Sequence, residues 1–200
     1  MRTHSSIHLL SISVLLICAG CGDESVVKST PPVMKADSAV DDSQETPVTS
    51  ATVSGERKAF DGLKFAVPAG WEEMPLSQFQ MGIISAKFAM PAAGPDVTLT
   101  LSRSGGSLSD NLDRWRGQVT QSRGEVTETL TVAGVDATLI DLEGRFSAGF
   151  GRDAQDGWRM LGIIAPLPDQ GYFLKLTGPV DQVEAVEEDF LAFAKSAQRD

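Results

Sequence analysis

The sequence predicts an α+β domain in which a central, mostly antiparallel sheet of about seven strands is flanked by helices. Short runs of alternating apolar and polar residues predict strands that are buried on one face. Turns of only a few residues separate several of these runs, and strands joined by such short connections are antiparallel. Two further stretches carry apolar residues at helical spacing, so each needs a face of the sheet on which to bury them.

Seven stretches show the strand pattern. The first places Leu63, Phe65 and Val67 on one face, and turn residues follow it at 68–71. The two-residue turn 133–134 predicts one hairpin, and residues 166–171 predict a second. The strands are predicted, in chain order, within LKFAV, IISAKFAM, VTLTLS, VTETLTV, VDATLIDL, WRMLGIIA and YFLKLTG.

A middle helix is predicted to begin within SGGSLSDNLDRW, residues 104–115. Ser107 or Ser109 is suited to cap its N-terminus, and acidic residues in its first turns favour the positive end of the helix dipole. A glycine pair before a helix binds anions in some proteins. This stretch, however, lacks the lysine of a phosphate-binding loop and the third glycine of a dinucleotide-binding motif. We therefore interpret it as a helix start, with a buried face formed by Leu108, Leu112, Trp115 and Val119.

A C-terminal helix is predicted over DQVEAVEEDFLAFAKSAQ. Its apolar residues recur at helical spacing, and acidic residues occupy the opposite face. We interpret the acidic residues as a solvated face rather than as a catalytic site. The predicted buried face consists of Val183, Val186, Phe190 and Phe193.

Length and charge limit the possible functions. The chain has 200 residues, a formal net charge of −10 and 42% hydrophobic residues. This length suggests one domain with additional segments. We expect no nucleic-acid partner, because binding to phosphates requires a basic surface and the chain is acidic.

The N-terminus resembles the signal peptide and lipobox of bacterial lipoproteins. Arg2 precedes a short apolar run, LLSISVLLICAG, which is too short to span a bilayer. The small residues Ala19 and Gly20 come directly before Cys21. The resemblance implies that residues 1–20 are removed and that lipid on Cys21 attaches the chain to a membrane of the bacterial cell envelope. An ordinary signal peptide with a free Cys21 is the alternative.

Removal of residues 1–20 takes away both histidines, His4 and His8, together with Cys18. A mature chain without histidine or a free thiol excludes Ser-His-Asp and Cys-His nucleophilic catalysis and zinc sites built from Cys and His. We therefore predict no catalytic residue, no metal and no cofactor.

The rest of the chain divides into two predicted parts. Residues 21–58 are rich in Ser, Thr, Asp and Pro and show no apolar periodicity, which predicts a disordered tether. Residues 59–200 contain all the predicted strands and helices and form the predicted domain.

The segments FAVPAGW, GGSLSDNLDRW, VAGVDATLIDLEG, WRMLGIIA and YFLKLTGP occur in this order in the domain. Their order resembles the PsbP-like superfamily, which includes the photosystem II protein PsbP and periplasmic DcrB-like proteins. The resemblance covers residues 59–200 and implies an α/β/α sandwich. Members of this superfamily mostly bind proteins or assist complexes. No ion ligand of PsbP matches a residue of this chain, so the resemblance implies the fold and only a general role.

The longest irregular stretch expected within the domain is RFSAGFGRDAQDGW, residues 145–158. Long loops often carry function, and aromatic and arginine side chains are enriched at protein interfaces. The alternative is a longer strand pair closed by a short turn at 153–157. Asp153 and Asp156 lack the spacing of a calcium-binding loop. The predicted protein-binding residues are Arg145, Phe146, Phe150 and Arg152.

Three functional hypotheses are open at this point. The leading hypothesis is a non-enzymatic, lipid-anchored envelope domain that binds an envelope protein or supports a complex. A carboxylate-dependent hydrolase of an envelope polymer requires two buried acids that face one cleft. A small-ligand-binding domain requires a sizeable apolar pocket beside the sheet.

Overall fold

The computed structural model describes residues 55–149 and 153–200. Within these ranges the chain forms ten strands and three helices. The elements are β1 (Arg57–Phe60), β2 (Leu63–Ala66), β3 (Glu72–Glu73), β4 (Ala86–Ala89), β5 (Thr98–Ser104), α1 (Leu108–Arg116), β6 (Val119–Val132), β7 (Val135–Phe146), β8 (Gln155–Pro166), β9 (Gly171–Pro179), α2 (Val180–Glu184), α3 (Glu187–Lys195) and β10 (Gln198–Arg199).

A seven-stranded sheet is at the centre of the domain, in the order β3-β4-β5-β9-β8-β7-β6. Every neighbouring pair in it is antiparallel, which confirms the predicted fold class. Both predicted hairpins, β6–β7 and β8–β9, are present. At the first turn, Ala133 and Gly134 have φ of 51° and 79°. Two-residue hairpin turns of type I′ require such positive values at both positions.

The first predicted strand, β2, belongs to a separate sheet. It lies in the middle of a three-stranded antiparallel sheet, between β1 and β10. The β1–β2 turn again uses positive φ, 50° at Asp61 and 84° at Gly62. The strands β1, β3 and β10 have only two to four residues, too few to show a clear alternation, and the sequence pattern did not predict them.

The larger hydrophobic core lies between the central sheet and a layer formed by the small sheet, α2 and α3. Phe65 of β2 and Phe193 of α3 stack there with 4.6 Å between ring centroids, and both are fully buried. The predicted apolar face of the C-terminal helix is therefore confirmed. The predicted single helix is instead divided into α2 and α3. This division places Glu187 in the first turn of α3, where its carboxylate lies 2.7 Å from Arg159.

A second, smaller core lies on the opposite face of the sheet, beneath α1. The Ser107 side chain accepts a hydrogen bond of 3.1 Å from the Asp110 amide, which confirms the predicted helix start. Trp115 is buried against β8 directly over Gly162, where a β-carbon would collide with the indole. Leu108 was predicted to be buried but is 42% exposed, so the buried face of α1 begins only at Asn111.

Candidate functional site

An open groove lies on the face of the central sheet that carries α1. This helix packs mainly on apolar residues of β7 and β8, whereas β4 and β5 present polar residues on the same face. The uncovered part of the face and one side of α1 enclose a groove of about 1150 Å³. Its volume slightly exceeds the usual range of about 300–1000 Å³ for small-molecule pockets.

The floor of the groove follows from the alternation along the strands. In β5, Leu99 and Leu101 point into the larger core and are fully buried, so Thr98 and Thr100 point into the groove. In β9, Lys175 and Thr177 line the groove in the same way. The strand register aligns one row across three strands, in which Lys87 pairs with Thr100 and Thr100 pairs with Lys175.

Lys175 on the groove floor has a pKa well below that of an ordinary lysine. Its Nζ donates a hydrogen bond of 3.2 Å to Oε1 of Gln118 and lies 5.9 Å from the centroid of the Phe146 ring. Burial, with a smaller contribution from the positive charge of Arg114, lowers the pKa of Lys175 to about 8. Within residues 55–149 and 153–200, no carboxylate oxygen lies within 4.0 Å of this ammonium group.

The wall formed by α1 contributes a second cation. The guanidinium of Arg114 donates a hydrogen bond of 2.8 Å to Oδ1 of Asn111 and lies 5.9 Å from the centroid of the Phe173 ring. Asn111 is itself buried, and its amide donates hydrogen bonds to the carbonyl oxygens of Gly105 and Ser107. The glycine pair before α1 therefore serves the helix start and, through Asn111, the position of Arg114.

The opposite rim consists of exposed apolar side chains in the connection between β3 and β4. Phe79 is 91% exposed and Ile83 is 69% exposed, and both line the groove. Met81 lies between them in the chain and is 58% exposed. This rim was not predicted from the sequence, because Ile83 was assigned to a strand, whereas β4 begins only at Ala86. The signal available in the sequence was the alternation of Phe79, Met81 and Ile83 with Gln80 and Gly82.

The predicted binding residues are divided by the structure. Strand β7 extends to Phe146 and β8 begins at Gln155, so the irregular stretch is shorter than predicted. Arg145 is exposed and lies 3.8 Å from Asp156. Phe146 is only 6% exposed, because it alternates with Arg145 and lies on the core face of β7. The expected exposure of Phe146 is therefore corrected, although part of its ring lines the groove.

Three of the predicted functional residues lie outside the described residues. These are Phe150 and Arg152, in the connection between β7 and β8, and Cys21 near the N-terminus. Ala148, Gly149 and Asp153, on either side of that connection's undescribed part, line the groove.

Acidic residues gather at a different place. Arg159 of β8 lies 2.8 Å from Asp141 and 2.7 Å from Glu187, beside a smaller cavity of about 340 Å³. The buried polar residues of the described chain are Asn111 and Thr177, so the pair of buried acids that a hydrolase requires is not found there.

Neither a cluster of metal-ligating side chains nor a membrane-spanning helix is found in the described ranges. They contain no group of three His, Cys, Asp or Glu side chains arranged to hold a metal ion. In the same ranges, no helix has the length and apolar character needed to cross a membrane.

Comparison with known proteins shows likeness at the level of structure. No protein-family model matches the chain, and no curated protein sequence matches it. The solution structure of cyanobacterial PsbP (CyanoP) from Synechocystis is similar with a TM-score of 0.50 and 16% identity, over 76% of this chain and 96% of CyanoP.

Two crystal structures match with lower scores. A protein of unknown function from Pseudomonas aeruginosa has a TM-score of 0.41 and 14% identity, over 70% of this chain and 94% of its own. LpqN of Mycobacterium tuberculosis is described as involved in cell envelope biogenesis. It has a TM-score of 0.41 and 14% identity, over 72% of this chain and 84% of LpqN. The strand order, the helices on both faces of the sheet and the likeness to CyanoP together show that this domain has the PsbP-like α+β fold.

Proposed function

We propose that the chain is a non-enzymatic accessory domain of the bacterial cell envelope, and that it binds a protein partner in the groove beside α1. Lipid on Cys21 holds the domain at a membrane in this proposal. The N-terminal signal sequence and its lipobox-like CAGC support the location.

Phe79 and Ile83 are exposed at the rim of a large groove, and their position is the main support for a binding function. Side chains of this size are usually buried, and several exposed together next to a concavity are typical of an interaction surface. The rest of the groove supplies aromatic side chains, hydroxyl groups and cations, which matches the mixed composition of protein interfaces. The resemblance to the PsbP-like superfamily supports the same class of function.

Small-ligand binding is a second candidate function, favoured by the enclosed position of Lys175 on the groove floor. Native mass spectrometry of the purified chain separates the two candidates. A small ligand is retained as a defined added mass, whereas a protein partner appears as a complex.

Photocrosslinking in living cells tests the proposed function. A photoreactive phenylalanine derivative at Ile83 should crosslink the domain to one protein. The same derivative at Glu128, an exposed position of β6 away from the groove, is the matched control. Crosslinks to the same protein from both positions, or none from Ile83, would contradict binding through the groove.

A further inference from the structure

Three cations of the groove lack the acidic partners that Arg116 and Arg159 have. Arg116 lies 2.7 Å from Asp113 and 2.7 Å from Glu125, and Arg159 is held by two carboxylates in the same way. Among the residues described, Lys87, Arg114 and Lys175 have no carboxylate oxygen within 4.0 Å. All three line the groove.

The strand register brings two of these cations into one row. Lys87 and Lys175 occupy β4 and β9, with Thr100 of β5 between them. Adjacent strands lie about 4.8 Å apart, so the two lysine backbones are separated by roughly 10 Å. Each lysine side chain is only partly exposed. The row therefore places a positive charge on each side of the Thr100 hydroxyl group on the groove floor. The chain as a whole, in contrast, has a net charge of −10.

Without a bound anion, the positive charge of Lys175 destabilises the folded domain. Burial and the neighbouring charge of Arg114 both disfavour the ammonium form of Lys175, which is why its pKa is low. Two carboxylates line the groove, those of Asp96 and Asp153. Both residues are exposed, and neither forms an ion pair with Lys175. A negatively charged group on the floor would compensate Lys175 and Arg114 together.

The apolar parts of the groove indicate what accompanies the anion. Phe79 and Ile83 are exposed on one rim. Trp158 of β8 and Phe173 of β9 line the groove on the sheet, near Phe146 and Arg114. A free inorganic ion would leave these side chains uncovered. An acidic side chain next to an aromatic or aliphatic one would occupy both the cationic floor and the apolar rim.

We propose that the groove binds an acidic segment of the partner protein, with a carboxylate at Lys175 and Arg114 and an adjacent apolar side chain against Phe79 and Ile83. This inference rests on the proposed function and names the chemistry of the partner. In this proposal Lys175 selects a negatively charged segment. Phe79 and Ile83 of the rim select the apolar side chain that lies next to the charge.

Selection from a random-peptide display library tests the inference, with the full chain in lipid nanodiscs as bait. Peptides in which Asp or Glu adjoins an aromatic or aliphatic residue should be enriched. Lys175→Met should weaken binding of a selected peptide about 10- to 100-fold, the effect of losing one hydrogen bond to a charged group. Replacing the Glu of that peptide by Gln should have a similar effect. Lys195→Met removes the same charge from the far side of the domain and should change nothing.

Two competitors separate other sources of negative charge. Decanoate represents a lipid anion and inorganic phosphate a free one, and neither should displace the selected peptide as well as an unlabelled copy of it. Enrichment without acidic residues, no enrichment at all, or preferential binding of decanoate overturns the inference. Those outcomes leave the photocrosslinking at Ile83 unaffected, so failure of the acidic-segment inference is distinct from failure of groove binding.

Discussion

The ring of Phe146 stacks on the indole of Trp158, with 5.5 Å between the ring centroids and 2° between their planes. The pair joins the last residue of β7 to β8 across the sheet and closes one end of the second core. Arg145, the preceding residue, points to solvent. A side chain predicted for a partner interface therefore stabilises the sheet beside the groove.

Phe146→Ala should lower the free energy of unfolding by about 3–5 kcal/mol, because it removes a buried ring and its stacking contact with Trp158. Urea unfolding followed by tryptophan fluorescence measures the change. Arg145→Ala alters an exposed residue and should stay within about 0.5 kcal/mol of the natural chain. Equal stability of the two variants would show that Phe146 does not belong to the core.

Trp115 and Gly162 should be energetically coupled, since the indole occupies the space of a side chain at position 162. We expect Trp115→Ala to cost about 3–5 kcal/mol and Gly162→Ala to cost about 1–3 kcal/mol through overpacking. In the Trp115→Ala background the added methyl group no longer meets the ring. The double variant should then be more stable than the sum of the single effects predicts, by at least about 0.5 kcal/mol. Strict additivity in the double-mutant cycle would contradict the contact.

Lys175→Met should stabilise the domain at pH 7 by about 1–3 kcal/mol, because it removes a partly buried charge that lacks a carboxylate partner. The pKa of Lys175 is about 8 in the folded chain, against 10.5 for an ordinary lysine. Below pH 8 the amine is charged in both states, and the folded state bears the cost of burial. Between pH 8 and 10.5 the folded state loses its proton first, so the natural chain gains stability.

The advantage of Lys175→Met over the natural chain should accordingly be largest below pH 8 and decrease towards pH 10.5. Thermal unfolding of both proteins across this pH range provides the comparison. A difference that stays constant with pH would show that Lys175 is not desolvated by the groove.

Lipid on Cys21 should be visible by mass spectrometry of the mature N-terminus. Two acyl chains give stable membrane attachment where a single chain gives only marginal binding. Cys21→Ala should therefore release the domain from the membrane fraction, and Cys18→Ala, three residues earlier, should not. Full retention of the Cys21→Ala form in membranes would refute the anchor.

Local patterns were sufficient to predict most strands but not their sheets. The alternation in β5 and the turn at Ala133-Gly134 depend on neighbouring residues, and both are found as predicted. The placement of β2 in a second sheet depends on β10, more than a hundred residues away in the chain. No periodicity within LKFAV contains that information, since a strand buried on one face has the same pattern in either sheet.

The groove was not predictable for a related reason. Its cationic row joins Lys87, Thr100 and Lys175, which come together only through the pairing of β4, β5 and β9. Each of these residues separately fits the polar face of an ordinary strand. The residues predicted for binding, in contrast, formed one continuous stretch, and the periodicity of β7 placed Phe146 of that stretch in the core.

Zero-length crosslinking in intact membranes can detect a contact between Lys175 and a carboxylate of a partner protein. A carbodiimide joins a lysine amine to a carboxylate only when the two are in contact, so an amide bond at Lys175 reports a carboxylate that lies in the groove. Mass spectrometry should identify an amide bond between Lys175 and an Asp or Glu of a partner protein, with no such bond at Lys195. Crosslinks at Lys195 and other exposed lysines, with Lys175 always unmodified, would contradict an acidic partner segment in the groove.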